Sequence, residues 1–74
     1  MQDTPRRLRL RAAAPKLLLD VVETRQPIST GDAFDIVRTK APGLLLSEMQ
    51  SALLQLRYDR RITVDKRLNL VTPD

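Results

Sequence analysis

The chain has no cysteine, no histidine and no tryptophan, and its 74 residues include one Phe, one Tyr and two Gly. Each shortage excludes something. Without Cys there is no disulfide framework, and without Cys or His there is no zinc cage, no thiol nucleophile and no imidazole for acid–base chemistry. Gly31 and Gly43 alone cannot build a glycine-rich phosphate loop. Scarce aromatics leave a core of Leu, Val and Ile. No apolar run approaches the roughly 18 residues of a membrane span. The charged amino-terminal start is not followed by a continuous apolar segment, so no secretory signal is expected. The expectation is a soluble, cytoplasmic, single-domain protein without cofactor or metal, held by packing alone.

The acids give no hint of catalysis. Asp32 and Asp35 stand one turn apart, but at the start of a predicted helix, where carboxylates are favoured by the helix dipole. Asp20 and Glu23 fit an ordinary solvated helix face. No enzymatic activity is expected.

What is present is unevenly placed positive charge. The net charge is +4. Arg6, Arg7, Arg9, Arg11 and Lys16 crowd the first sixteen residues against Asp3 alone. Arg57, Arg60, Arg61, Lys66 and Arg67 crowd a later stretch against Asp59 and Asp65, while residues 17 to 56 are net acidic. Basic ends around an acidic middle fit a scaffold whose extremities grip a polyanion; the plainer explanation is a solvated surface that keeps a small protein in solution.

Turn residues divide the chain. Thr4-Pro5 can open a helical turn, yet Arg7-Leu8-Arg9-Leu10-Arg11 alternates with a period of two, so residues 1–14 form a basic arm that is either helical or extended. Pro15 is read as the first residue of a helix to about Arg25, with Leu18, Val21 and Val22 inward and Leu17 and Leu19 widening the face. Gln26-Pro27 stops it, and Ile28 is a lone apolar residue, compatible with a short strand. Ser29-Thr30-Gly31-Asp32 caps a second helix from Gly31 to about Lys40, burying Ala33, Phe34, Ile36 and Val37. Ala41-Pro42-Gly43 breaks the chain again. Ser47 and Gln50 have capping-box spacing for a third helix to Tyr58 or Asp59, with Met49, Ala52, Leu53 and Leu56 inward. The apolar period then changes from helical to alternating: Ile62 and Val64, then Leu68 and Leu70, with Asp65-Lys66-Arg67 between. Two strands are predicted, Arg61 to Val64 and Arg67 to Val71.

A helix that runs into a short hairpin with a basic tip resembles the end of a winged helix-turn-helix domain. The likeness covers the Pro27-Ile28-Ser29-Thr30 entry and the run Leu53-Leu54-Gln55-Leu56-Arg57-Tyr58-Asp59-Arg60-Arg61-Ile62. The superfamily usually has Leu-x-x-Leu-x-x-x-Gly-x-Ile there, with the glycine left-handed where helix gives way to wing. Arg60 stands at that glycine here, so Asp59 or Arg60 must take the conformation, or the turn differs. The Ala41–Leu45 connection is longer than the tight turn of the commonest members. The fold expected is α+β, mainly α: a three-helix winged helix-turn-helix domain over 15–72 with a carboxy-terminal two-stranded β-hairpin wing, in the order helix, short strand, helix, helix, strand, strand.

The resemblance implies that the third helix and the wing touch nucleic acid. The outward face of that helix carries Ser47, Gln50, Ser51, Leu54 and Tyr58, flanked by Gln55 and Arg57. Gln and Ser can read base edges or hold phosphates. Leu54 on a polar face meets a thymine methyl, packs under the wing with Tyr58, or marks a protein interface. Lys66 and Arg67 at the wing tip are candidate phosphate contacts, or charges that blunt a sheet edge. Arg6, Arg7, Arg9 and Arg11 are candidates for a groove-following arm, or a frayed terminus.

Two functions follow. In the first, a DNA-binding module, a transcriptional regulator or an accessory protein of DNA transactions, docks helix 3 on double-stranded DNA and holds flanking phosphates with wing and arm. In the second, a winged-helix interaction module meets a protein partner or its own copy through Leu54 and Tyr58 on helix 3, or through the arm.

Overall fold

A computed structural model of the chain describes residues 5–73. The order is α1 (Pro5–Arg25), β1 (Ile28–Ser29), α2 (Thr30–Lys40), α3 (Leu46–Tyr58), β2 (Thr63–Val64) and β3 (Asn69–Val71). The fold is mainly α with a β wing after the helices, and is compatible with a winged helix.

The first helix departs most from the sequence expectation. It starts at Pro5 and runs through Pro15, which the sequence places at its beginning. A proline inside a helix forfeits its own N–H bond and crowds the preceding turn, at about 3 kcal/mol. Tertiary contacts on the amino-terminal side offset this. Ala14 is buried and Leu10 packs against the core. The Arg7 guanidinium donates to the Gly43 carbonyl and pairs with the Glu48 carboxylate. Residues 5–14 are therefore the first turns of α1. The Thr4 cap, with residues 1–4 of the arm, lies outside the described residues.

Ser29 caps α2: its Oγ accepts from the Asp32 N–H at 3.2 Å. The cap of α3 differs from expectation. The helix starts at Leu46, so Ser47 lies within its first turn, and Glu48 Oε1 accepts from the Leu45 N–H at 2.9 Å. The acid three residues into the helix reaches the orphan donor, so a Ser47–Gln50 box is not formed.

At its carboxy end, α3 closes with a Schellman motif. The Arg61 N–H donates to the Leu56 carbonyl at 2.8 Å, the Arg60 N–H to the Arg57 carbonyl at 3.1 Å, and Arg60 is left-handed at φ 61°. Arg60 thus adopts the conformation usual for glycine. Arg61 and Ile62 belong to this cap, so β2 starts only at Thr63, later than predicted. The other strand also shortens, because Lys66, Arg67 and Leu68 form the hairpin loop. The antiparallel sheet has the order β1-β3-β2, with Ile28 opposite Leu70 and Val64 opposite Leu70 on the other side. Gln26 Oε1 accepts from both the Thr72 N–H and its hydroxyl, tying the end of β3 to the segment after α1.

The core is aliphatic, as the composition requires. Leu18, Val21 and Val22 of α1 join Ala33, Phe34 and Val37 of α2, Met49, Ala52 and Leu56 of α3, and Ile28, Ile62 and Leu70 of the sheet region. Ala41 and Leu44 close it between α2 and α3, whereas Ile36 and Leu53 are only partly buried. No buried side-chain polar atom among the described residues lacks a partner.

Arg60→Gly removes a left-handed penalty of about 1–2 kcal/mol and restores glycine's larger unfolded-state entropy, of about 0.5–1 kcal/mol. The net expectation is a gain of about 0.5 kcal/mol and a melting temperature higher by roughly 2–4 °C. A calorimetric scan showing equal or lower stability would mean that the Arg60 side chain itself contributes.

Candidate nucleic-acid interface

The buried residues of α3 lie on one side, and its solvent side is as the helical spacing predicts: Ser47, Gln50, Ser51, Leu54, Gln55, Arg57 and Tyr58 are all exposed. Leu54 is 65% exposed and Tyr58 88%, so neither packs under the wing. Leu54 instead borders a shallow groove between α2 and α3, shared with Thr30, Phe34, Gln50 and Leu53. Leu45 and Leu46, at the start of α3, are also exposed.

The wing tip is built around Asp65. Its N–H donates to the Asn69 carbonyl at 2.9 Å and its carbonyl accepts from the Leu68 N–H at 3.0 Å. Its Oδ1 accepts from the backbone N–H groups of Arg67 and Asn69 at 2.8 and 2.9 Å. The carboxylate is thus turned into the loop, which is a side-chain-stabilised turn. Lys66 and Arg67 are exposed beside it. Leu68 does not alternate inward with Leu70. It occupies the third loop position with φ 64° and is 75% exposed, where a three-residue hairpin loop ordinarily uses a left-handed glycine.

The amino-terminal arginines divide. Arg6 and Arg9 are exposed on α1. Arg7 lies at the amino end of α3, engaged with Glu48 and the Gly43 carbonyl, as the fold requires. Arg11 is exposed one turn further along α1. With residues 5–14 helical, these side chains sit on a helix packed beside α3 and not on a free extended arm.

Arg60 and Arg61 are two further cations outside the site expected from the sequence. Both are exposed where α3 gives way to β2. In the chain they fall between Arg57 and the wing-tip Lys66 and Arg67, and both border a groove shared with Leu19 and Glu23 of α1; the run of basic residues after Leu56 is their signal. None of these five cations forms an ion pair with a described residue. Glu48 was also missed; an acid in the first turn of α3 was its signal.

Among the described residues no group of His, Cys, Asp or Glu could hold a metal ion, and no helix is long and apolar enough to cross a membrane. Comparison with protein-family models, curated proteins and solved structures finds no match to this chain.

Arg7→Ala removes charge-assisted bonds and leaves the partly buried Glu48 carboxylate with the Leu45 N–H as its one partner among the described residues. The expected loss is about 1–2 kcal/mol by urea denaturation. Arg7→Lys, which keeps charge but not the forked geometry, should recover only part of it. Unchanged stability would mean that Leu10 and Ala14 suffice to hold the first turns of α1.

Proposed function

We propose that this chain is a small winged-helix DNA-binding module, acting in transcriptional regulation or as an accessory in DNA transactions in the cytoplasm. One observation carries the proposal: Arg57, Arg60, Arg61, Lys66 and Arg67, between the end of α3 and the wing tip, are all exposed, and none forms an ion pair with a described residue. One of the two intervening acids, Asp65, has a carboxylate oxygen bonded to its own loop backbone. Exposed cations of this kind suit phosphate contacts, which position a protein on a duplex and supply most of its non-specific affinity. The exposed Ser47, Gln50 and Ser51 of α3 then face the bases or their phosphates, with Gln50 the candidate for adenine. Arg6, Arg9 and Arg11 add positive potential along α1. A chain this small has little surface for specific readout, so two copies on adjacent half-sites fit the proposal.

A second function is favoured by a separate observation. Leu54 and Tyr58 are both exposed on the solvent face of α3, and Leu54 borders an apolar groove against Phe34. Exposed apolar residues on a helix face are the usual mark of protein contact. A homodimer or another protein seated there would use α3 for interaction instead of base readout.

Fluorescence anisotropy with generic duplex DNA at two salt concentrations separates the two. Five phosphate contacts give a slope of about −4.5 in log affinity against log salt, roughly a 500-fold loss between about 50 and 200 mM. Weak binding without that slope rejects the DNA function. Exchanging both Lys66 and Arg67 for alanine should reduce the slope by about 2 and weaken all sequences alike; an unchanged slope removes the wing from the contact. Leu54→Ser should leave DNA affinity within a few-fold. If it instead dissolves a wild-type oligomer seen by sedimentation while the salt slope is absent, α3 is a protein interface.

A further inference from the structure

Leu68 is anomalous on two counts. The residue is 75% exposed and so contributes little burial to folding. Its backbone is left-handed, at φ 64°, which costs a leucine about 1–2 kcal/mol relative to glycine. Neither stability nor solubility is served by a leucine at this position. Bulky residues held at positive φ concentrate where structure serves binding.

The surroundings indicate what is bound. Leu68 directly follows Lys66 and Arg67 in a three-residue loop, and Asp65 fixes that loop through two backbone bonds. The tip is therefore a small preorganised wedge, one apolar side chain beside two cations, with the neighbouring carboxylate turned inward. The minor groove of duplex DNA is complementary to it. Two rows of phosphates lie above a groove only about 6 Å wide, too narrow for a helix or a two-stranded ribbon but open to a few side chains. Apolar residues that enter there partially unstack a base step and bend the duplex.

We propose that Leu68 is an apolar wedge which enters the minor groove between the phosphate contacts of Lys66 and Arg67 and opens a deformable base step. This rests on the DNA-binding function proposed above. It adds a preference for flexible pyrimidine–purine steps, read as deformability and not through base hydrogen bonds.

The test uses the full chain with a duplex carrying 2-aminopurine at a central TA step and a donor–acceptor pair at its ends. Wild-type protein should raise 2-aminopurine emission and shorten the end-to-end distance, and should prefer the TA duplex over an A-tract duplex by about tenfold. Leu68→Gly removes the wedge and relieves the backbone, so its melting temperature should rise while emission, bending and the TA preference are lost. Leu68→Ala, which keeps a side chain at the strained position, should lose the same three signals without gaining stability. The salt slope should be unchanged in both, because no phosphate contact is removed. If both variants bind with wild-type emission and bending, the wedge is overturned and DNA binding stands. If wild-type protein shows no salt-dependent binding, both are overturned. If Leu68→Gly alters oligomeric state or vesicle binding and not DNA bending, Leu68 serves a protein or lipid contact and the wedge is overturned.

Discussion

The packing of α1 alongside α3 is the contact on which the rest of this small structure depends. With no cysteine and almost no aromatic residues, the described residues share a single aliphatic core. α1 supplies the longest wall of that core, and its most extensive helix contact is with α3. The Arg7 clamp extends the wall by fastening the amino end of α1 to Gly43 and Glu48. Glu48 serves twice, because the same carboxylate oxygen that meets Arg7 also caps α3 at the Leu45 N–H. The start of α3 and the start of α1 are thereby set by one acid.

The wing follows from the other end of α3. The Schellman closure turns the chain through Arg60, Ile62 drops into the core, and β2 then pairs with β3, which β1 covers on its far edge. This sequence of constraints carries the basic residues outward, since the inward positions are already taken by Leu56, Ile62 and Leu70. Arg60 at the base of the wing and Leu68 at its tip are both left-handed, and glycine occupies neither. The wing is therefore costlier to form than its usual counterparts, and also stiffer in its unfolded alternatives.

Much of this could be read from residue order. Helical periodicity placed the buried stripe Met49, Ala52 and Leu56 and left Ser47, Gln50, Ser51, Leu54 and Tyr58 outside, as found. The Pro27 stop, the Ser29 cap and the Ala41-Pro42-Gly43 break rest on backbone chemistry that acts within a few residues, and they hold in the structure. The structure differs where a contact outside the local pattern decides the outcome. Pro15 reads locally as a helix start, but contacts from Leu10, Ala14 and Arg7 continue the helix across it. Ser47 and Gln50 have the spacing of a capping box, but Glu48 is nearer the orphan donor. Leu68 fits an alternating strand pattern, but the bonds of Asp65 draw it into the loop.

By itself the sequence determined the element types, their order, the aliphatic nature of the core and the separation of charge, because periodicity, turn residues and composition act over short range. Only the tertiary structure decided that the basic amino-terminal segment is helical, that Arg7 is bound up in the scaffold, and that Arg60 and Leu68 are left-handed. It also decided that Leu54 lies exposed beside a groove instead of under the wing. Each of these depends on a partner far away in the chain, or on closure of a turn, and so has no signature in residue spacing alone.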